Sequence, residues 1–196
     1  MRLAGLLPAA AALLFFGWLA QAVSHGRMQH FDDRVRILVH AHAGPILTAA
    51  MRGIWVVGEP AFLIALGVPV AWWFVRTGRT RAMLRFAITV AGAEVFDQLL
   101  KLAFHRVRPA TFFGLAEPMG YSFPSGHALV SFAFFGALVV FAAPRRWWYY
   151  VAAALPITAI GYSRIYLGVH YPSDVLGGWA AAVVWLSCAR MASARR

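Results

Sequence analysis

The sequence has few acidic residues, a single lysine and a single cysteine. Among its 196 residues are seven Asp and Glu side chains, against 18 Lys and Arg. Cys188 stands alone, which excludes an internal disulfide and a cysteine cluster for a metal. The carboxylates and histidines show none of the spacings that are typical of Zn²⁺ or Ca²⁺ sites. We therefore expect no metal and no other cofactor.

Hydrophobic residues, by contrast, make up 61% of the chain, and the mean hydropathy is +0.66. A soluble domain is about half apolar, so this composition is typical of an integral membrane protein. Six apolar segments are candidate membrane-spanning helices, at 3–23, 54–75, 83–104, 127–143, 149–167 and 174–189. Gly58, Glu59 and Pro60 interrupt the second, which leaves open whether its membrane helix starts only at Glu59. The sequence thus predicts one all-α domain over 1–196, a six-helix membrane bundle.

The arginines predict the orientation of this bundle, since loops rich in Lys and Arg stay in the cytoplasm. They cluster at both termini and in alternate loops, at Arg2, Arg76, Arg79, Arg81, Arg85, Arg145, Arg146, Arg190, Arg195 and Arg196. Both termini are therefore expected inside, and the segments 24–53, 105–126 and 168–173 outside. The net charge of +11 follows from this asymmetry, and we expect the bilayer rather than nucleic acid as the partner.

Two features near the N-terminus have alternative interpretations. Residues 1–22 resemble a signal peptide with an Ala-Gln-Ala cleavage site at 20–22, as well as a first membrane span. Residues 31–42 place apolar side chains on one helical face, which predicts an amphipathic helix at the membrane surface that ends before Gly44-Pro45. Four histidines in this outer part could be metal ligands but are more typical of interfacial residues, namely His25, His30, His40 and His42.

Three polar clusters occur among the apolar segments. They are KLAFHRVRP at 101–109, PSGH at 124–127, and SRIYLGVH at 163–170, which is followed by Asp174. The first closes the third span, the second opens the fourth, and the last joins the fifth and sixth. Counting the crossings places all three at the outer face, where they can converge on one site.

The basic side chains of these clusters predict an anion site. Lys101, Arg108 and Arg164 would gather three cations, and arginine forms planar, bidentate contacts with phosphate oxygens. Ser125 and Gly126 precede a helix whose free backbone N–H groups also favour an anion. Lys101 is the single lysine of an arginine-rich chain, which mildly favours a specific role.

The histidines of the clusters predict covalent catalysis at this site. A neutral imidazole is a nucleophile, and Asp174, four residues after His170, could hold its tautomer. His127, beside the presumed phosphate loop, could protonate the leaving oxygen. Glu94 and Asp97 could neutralise basic groups near the site or pair with other helices, and His105 lies at a variable position and is not expected to be catalytic.

The loop between the first two clusters is rich in large apolar residues. Phe112, Phe113, Leu115 and Met119 lie within it. Two interpretations stay open, since these side chains could belong to the core or could line an entrance for an acyl chain.

The three clusters resemble the signature of the type 2 phosphatidic acid phosphatase family, which also includes vanadium haloperoxidases. That signature is K-x6-RP, PSGH and SR-x5-H, and all three parts occur here in order within residues 101–174. The resemblance implies a bundle of six membrane helices, no metal, and a lipid phosphate as substrate. It implies His170 as the nucleophile that forms a phosphohistidine, Asp174 as its support and His127 as the acid. It implies phosphate binding by Lys101, Arg108, Ser125, Gly126 and Arg164.

The resulting prediction is a lipid phosphatase in the bacterial inner membrane with its active site on the periplasmic or exterior side. Its substrate would be phosphatidate, phosphatidylglycerophosphate, undecaprenyl diphosphate or a related lipid. A phosphotransferase could use the same residues, and a lipid transporter would need no nucleophile. Haloperoxidases of the family are soluble, which the apolar spans argue against.

Overall fold

The structure, a computed structural model, describes residues 3–142 and 146–193. These residues form eight α-helices, and no strand occurs among them. The helices are α1 (Leu3–Ser24), α2 (Gln29–Ala41), α3 (Pro45–Gly58), α4 (Pro60–Arg76), α5 (Thr80–Phe104), α6 (Gly126–Phe141), α7 (Trp147–Tyr166) and α8 (Pro172–Ser193). Arg2, Arg145, Arg195 and Arg196, four of the arginines that predict the orientation, lie outside the described residues.

Every segment that the sequence predicts as a span contains helix, but the second is divided. It includes the end of α3 and α4 up to its penultimate residue, and the two helices meet at Glu59 with their axes bent by 60°. Pro60 is the first residue of α4, a position that proline favours because its missing N–H is not needed there. The sequence leaves a helix start at Glu59 open, whereas no sequence pattern predicts α3. The predicted surface helix is present as α2.

Length and hydropathy alone support fewer crossings than six among the described helices. Leu6–Ser24 and Pro172–Ser193 are each long and apolar enough to cross a membrane, and the bent pair α3–α4 could form a third crossing. Helix α6 is apolar but has 16 residues, or about 24 Å at 1.5 Å per residue. Helix α5 carries five charged side chains, at Arg81, Arg85, Glu94, Asp97 and Lys101.

The core lies around α6, which packs against α4, α5, α7 and α8. Its Leu129 and Phe134 are buried in one cluster with Phe74 of α4, Phe86 of α5 and Leu186 of α8. Such packing fixes how the ends of α5 to α8 lie relative to one another. As a result, the C-terminal ends of α5 and α7 lie beside the N-terminal ends of α6 and α8.

Helix α1 reaches the same end of the bundle. Its Leu19 and Val23 are buried in a cluster with Phe123, a residue of the loop between α5 and α6. Phe16 of α1 stacks on the Phe123 ring at a centroid distance of 5.8 Å. The C-terminal part of α1, which includes Ala20 and Ala22, is therefore packed against the segments that carry the polar clusters.

Candidate active site

The three polar clusters meet around one cavity of about 270 Å³ at this end of the bundle. Six of the eight predicted site residues line it, namely Lys101, Arg108, Gly126, His127, Arg164 and His170. Ser125 and Asp174 are fully buried and contact the other site segments from outside the cavity wall. The predicted convergence of the three clusters is thus present in the structure.

The tautomer of His170 follows from its hydrogen bonds. Nη1 of Arg108 lies 3.1 Å from Nε2 of His170. A guanidinium can only donate, so Nε2 must be the acceptor and carries no proton. The other nitrogen, Nδ1, lies 3.4 Å from both Oδ2 of Asp174 and Oγ of Ser122, and its proton points to these oxygens. Burial lowers the pKa of His170 to about 4 despite the neighbouring Asp174, which favours the neutral imidazole.

Asp174 is held in place by contacts other than the one with His170. Its Oδ2 accepts hydrogen bonds from Oγ of Ser122 at 2.5 Å and from the backbone N–H of Tyr171 at 2.8 Å. Its backbone carbonyl accepts the N–H of Ser125 at 2.9 Å, which joins α8 to the start of α6. Gly178 permits this approach, since a Cβ there would lie 2.7 Å from the carbonyl oxygen of Ser125.

A second carboxylate, Asp32 of α2, belongs to the same network. Arg106 bridges the two acids, with Nη2 at 2.7 Å from Asp32 and Nη1 at 2.5 Å from Asp174. Asp32 also accepts the backbone N–H and the hydroxyl of Ser173, at 2.9 and 2.6 Å, and so caps the first turn of α8. Burial alone would lower the pKa of Arg106, but the charges of Asp174 and Asp32 outweigh it and raise that pKa.

The cations of the cavity differ in how many hydrogen-bond and ion-pair partners the protein gives them. Nζ of Lys101 lies 2.6 Å from Oδ2 of Asp97, one turn earlier in α5. Arg164 is 1% exposed, and its Nη2 has no hydrogen-bond partner among the described residues. Its guanidinium carbon lies 5.0 Å from the ring centroid of Trp55. Because an unpaired buried donor is costly, Arg164 favours an anion in the cavity.

The start of α6 forms another wall of the cavity. Ser125 is the N-cap residue, and its buried hydroxyl has no partner within the described part of the chain. A Cβ at Gly126 would lie 2.6 Å from Oδ2 of Asp97 and 2.8 Å from Nζ of Lys101. The missing side chain therefore lets the N-terminus of α6, with its free N–H groups, approach the ion pair of α5.

The site and the comparisons with known proteins agree. A family model described as the PAP2 superfamily matches residues 82–196, more than half of the chain and all three polar clusters.

The chain belongs to the PAP2 superfamily. The chain is 28% identical to phosphatidylglycerophosphatase B of Bacillus subtilis over 178 residues, which are 87% of each protein. It is 31% identical to an undecaprenyl-diphosphatase of Sulfolobus acidocaldarius over 115 residues, 56% of this chain and 54% of that relative. The fold also matches the crystal structure of a transmembrane PAP2-type phosphatidylglycerolphosphate phosphatase from Bacillus subtilis. That match has a TM-score of 0.84, with 27% identity, and covers 95% of this chain and 96% of the other.

Family membership confirms the predicted resemblance, and the helical structure, which matches a transmembrane PAP2 phosphatase, confirms the predicted all-α class. Several functional neighbours of the PAP2 motifs were nevertheless missed by sequence reasoning. Arg106 stands at a variable position of K-x6-RP, and Ser122 lies two residues before PSGH. Asp32 is 74 residues from Arg106 in the chain. One signal was available in the sequence. Acidic residues are rare in this chain, and a buried carboxylate needs a partner, so each Asp and Glu is a candidate for an ion pair.

The structure also gives the contacts of the residues for which the sequence leaves two interpretations open. Asp97 pairs with Lys101, and Glu94 lines the cavity and accepts a hydrogen bond from Gln98. Phe112 stacks on His40 at a centroid distance of 4.0 Å, and Phe113 stacks on Tyr166 at 5.4 Å. Neither ring lines the cavity, so the packing interpretation is favoured for both.

The remaining histidines lie apart from the cavity. His105 packs edge-on against Tyr121. His25 and His42 are exposed and hydrogen-bond to carbonyls of the helices that precede them. Within residues 3–142 and 146–193, no group of three or more His, Cys, Asp or Glu side chains is arranged to hold a metal ion.

Proposed function

We propose that this chain is a lipid phosphatase, a single integral membrane domain that hydrolyses lipid phosphates through a phosphohistidine at His170. The observation that carries the proposal is the orientation of His170. Its Nε2 lone pair faces a cavity lined by Lys101, Arg108 and Arg164, where a phosphate would be bound. The phosphatase names of the PAP2 relatives support the same class of reaction.

In the first step, Nε2 of His170 attacks phosphorus and the bond to the lipid oxygen breaks. Asp174 accepts a hydrogen bond from the Nδ1–H of the ring and stabilises the positive charge that develops there. His127 gives a proton to the leaving oxygen. In the second step, a water molecule attacks phosphorus and the bond from phosphorus to Nε2 of His170 breaks. His127 takes the proton of that water, and inorganic phosphate leaves.

The three cations and the start of α6 would stabilise the phosphate oxygens during both steps. Arg164 can offer its unpartnered Nη2, and Ser125 its unpartnered hydroxyl. Lys101 adds a point charge, and Gly126 keeps the backbone N–H groups of α6 within reach. The scheme calls for no metal ion, because these groups supply the positive charge.

The function is tested by phosphate release from long-chain phosphatidylglycerophosphate, phosphatidate, lipid A and undecaprenyl diphosphate by the purified protein in detergent. We expect release from at least one of them. We also expect kcat/KM for a long-chain substrate to exceed that for glycerol phosphate by roughly tenfold or more, since each buried CH₂ is worth about 0.8 kcal/mol. No release from any lipid would contradict the proposal.

We further infer six crossings, with both termini in the cytoplasm of a bacterial cell and the cavity facing the exterior or periplasm. The crossings would be α1, the bent pair α3–α4, α5, α6, α7 and α8. Short apolar helices such as α6 can cross where neighbouring helices cover them and the bilayer thins. The arginines at Arg76, Arg79, Arg81, Arg85 and Arg190 lie at the end opposite the cavity, which supports this orientation.

Cysteine labelling in intact cells tests the orientation. Met119, in the loop beside the cavity, is 96% exposed, and Thr80, between α4 and α5, is also exposed. In a Cys188→Ala background, Met119→Cys should react with a membrane-impermeant thiol reagent and Thr80→Cys should react only after lysis. The reverse pattern would overturn the orientation.

A further inference from the structure

The sharp bend between α3 and α4 lies directly against His127. Glu59 forms the bend, and its Oε1 lies 3.3 Å from Nε2 of His127. Nε1 of Trp55, one turn earlier, donates a hydrogen bond to the same Oε1. A Cβ at Gly58 would lie 3.1 Å from Cδ2 of His127, so the backbone of the bend touches the imidazole. These contacts fix where the Glu59 carboxylate sits relative to His127.

Charged groups of both signs surround His127. The groups that face the same cavity are Glu59 from the bend, Glu94, Asp97 and Lys101 from α5, Arg108 from the following loop, Arg164 from α7, and His170. The three cations disfavour a further positive charge on His127. Asp97 is engaged by Lys101, and Glu94 by Gln98. Glu59 is thus the carboxylate that contacts His127 among the described residues, and this contact fixes the orientation of the imidazole.

We propose that Glu59 is a positioning residue that holds the His127 imidazole in the orientation needed to protonate a departing alcohol, and that it makes this enzyme selective for lipid phosphate monoesters over lipid diphosphates. The proposal rests on the phosphatase function inferred above. In the step concerned, the bond from Nε2 of His170 to phosphorus forms and the bond to the lipid oxygen breaks. That oxygen takes a proton from His127, whose ring Glu59 holds in place.

The selectivity follows from the leaving group. An alkoxide is a poor leaving group and gains much from a proton in the transition state. A lipid diphosphate instead releases a lipid monophosphate, which leaves readily without a proton.

The test uses the full-length protein in detergent with two substrates that share the same acyl chains, phosphatidate and diacylglycerol diphosphate. A third substrate, p-nitrophenyl phosphate, has a leaving group that needs no protonation. For the unaltered enzyme we expect higher kcat/KM on phosphatidate than on the diphosphate. Glu59→Gln should lower kcat for phosphatidate by about 10²-fold while leaving the other two substrates within about threefold.

Glu117→Gln is the matched control, because it removes the same charge from an exposed position in the loop before α6, and it should leave all three rates unchanged. Trp55→Phe removes the donor to Glu59 and should give a smaller loss with the same dependence on the leaving group. Equal losses on all three substrates in Glu59→Gln, or no loss on phosphatidate, would overturn the proposal, as would a preference of the unaltered enzyme for the diphosphate. If the unaltered enzyme hydrolysed none of the three substrates, the phosphatase function itself would be refuted. That outcome is distinct from a failure of the Glu59 proposal alone.

Discussion

Replacing His170 with alanine is expected to lower phosphate release by about four orders of magnitude or more, because it removes the nucleophile. The Nε2 lone pair of this residue faces the cation-lined cavity, and burial lowers its pKa to about 4. The imidazole is therefore neutral, and able to attack, at all pH values above about 5. The measurement is kcat on a long-chain lipid phosphate at pH 7.

The matched control for this variant is His30→Ala, since His30 is an exposed histidine of α2 away from the cavity. It should retain full activity. The thermal unfolding midpoint of His170→Ala should stay close to that of the unaltered protein, which separates loss of chemistry from loss of fold. Full activity in His170→Ala would show that another group attacks phosphorus.

Replacing Arg106 with alanine is expected to destabilise the protein by about 3–5 kcal/mol, the usual cost of removing one partner of a buried ion pair. Arg106 lies between the buried carboxylates of Asp32 and Asp174, with its own side chain 11% exposed. Without Arg106, the carboxylates of Asp32 and Asp174 would repel each other and would have fewer hydrogen-bond donors. Activity should fall as well, because Asp174 orients His170.

The loss is measured as the unfolding midpoint in detergent, with Arg34→Ala as control, since Arg34 is an exposed arginine on the same helix as Asp32. The double variant Arg106→Ala with Asp32→Asn removes one orphaned charge and should recover part of the loss. A double-mutant cycle then gives the coupling between the two side chains. A midpoint for Arg106→Ala equal to that of Arg34→Ala would contradict the network.

The parts of the site that the sequence predicts are those with a local signal. Lys101, Ser125, Gly126, His127, Arg164 and His170 lie at fixed spacings in short motifs beside helix ends. Since consecutive membrane helices alternate in direction, chain order alone brings these ends together. The all-α fold is likewise readable from apolar runs that are too long and too many for one soluble core.

The missed contacts join residues that are distant in the chain. Glu59 meets His127 across 68 residues, and Asp32 meets Ser173 across 141. Neither pair leaves a periodic pattern or a motif. The bend at Glu59 was visible as Gly58-Glu59-Pro60, but a break in an apolar run does not reveal which side chain it presents to a site. Asp32 lies in an amphipathic segment, where an acidic residue is ordinarily expected to face water.

The most direct measurement of the central claim is phosphate transfer to the protein itself. The enzyme is mixed with a lipid phosphate labelled in its terminal phosphate, quenched within one turnover in alkali, and digested. The account predicts label on the peptide that contains His170, stable in base and released by acid, and no label in His170→Ala. Label on another residue, or phosphate release by an unlabelled enzyme under conditions that preserve phosphohistidine, would contradict it.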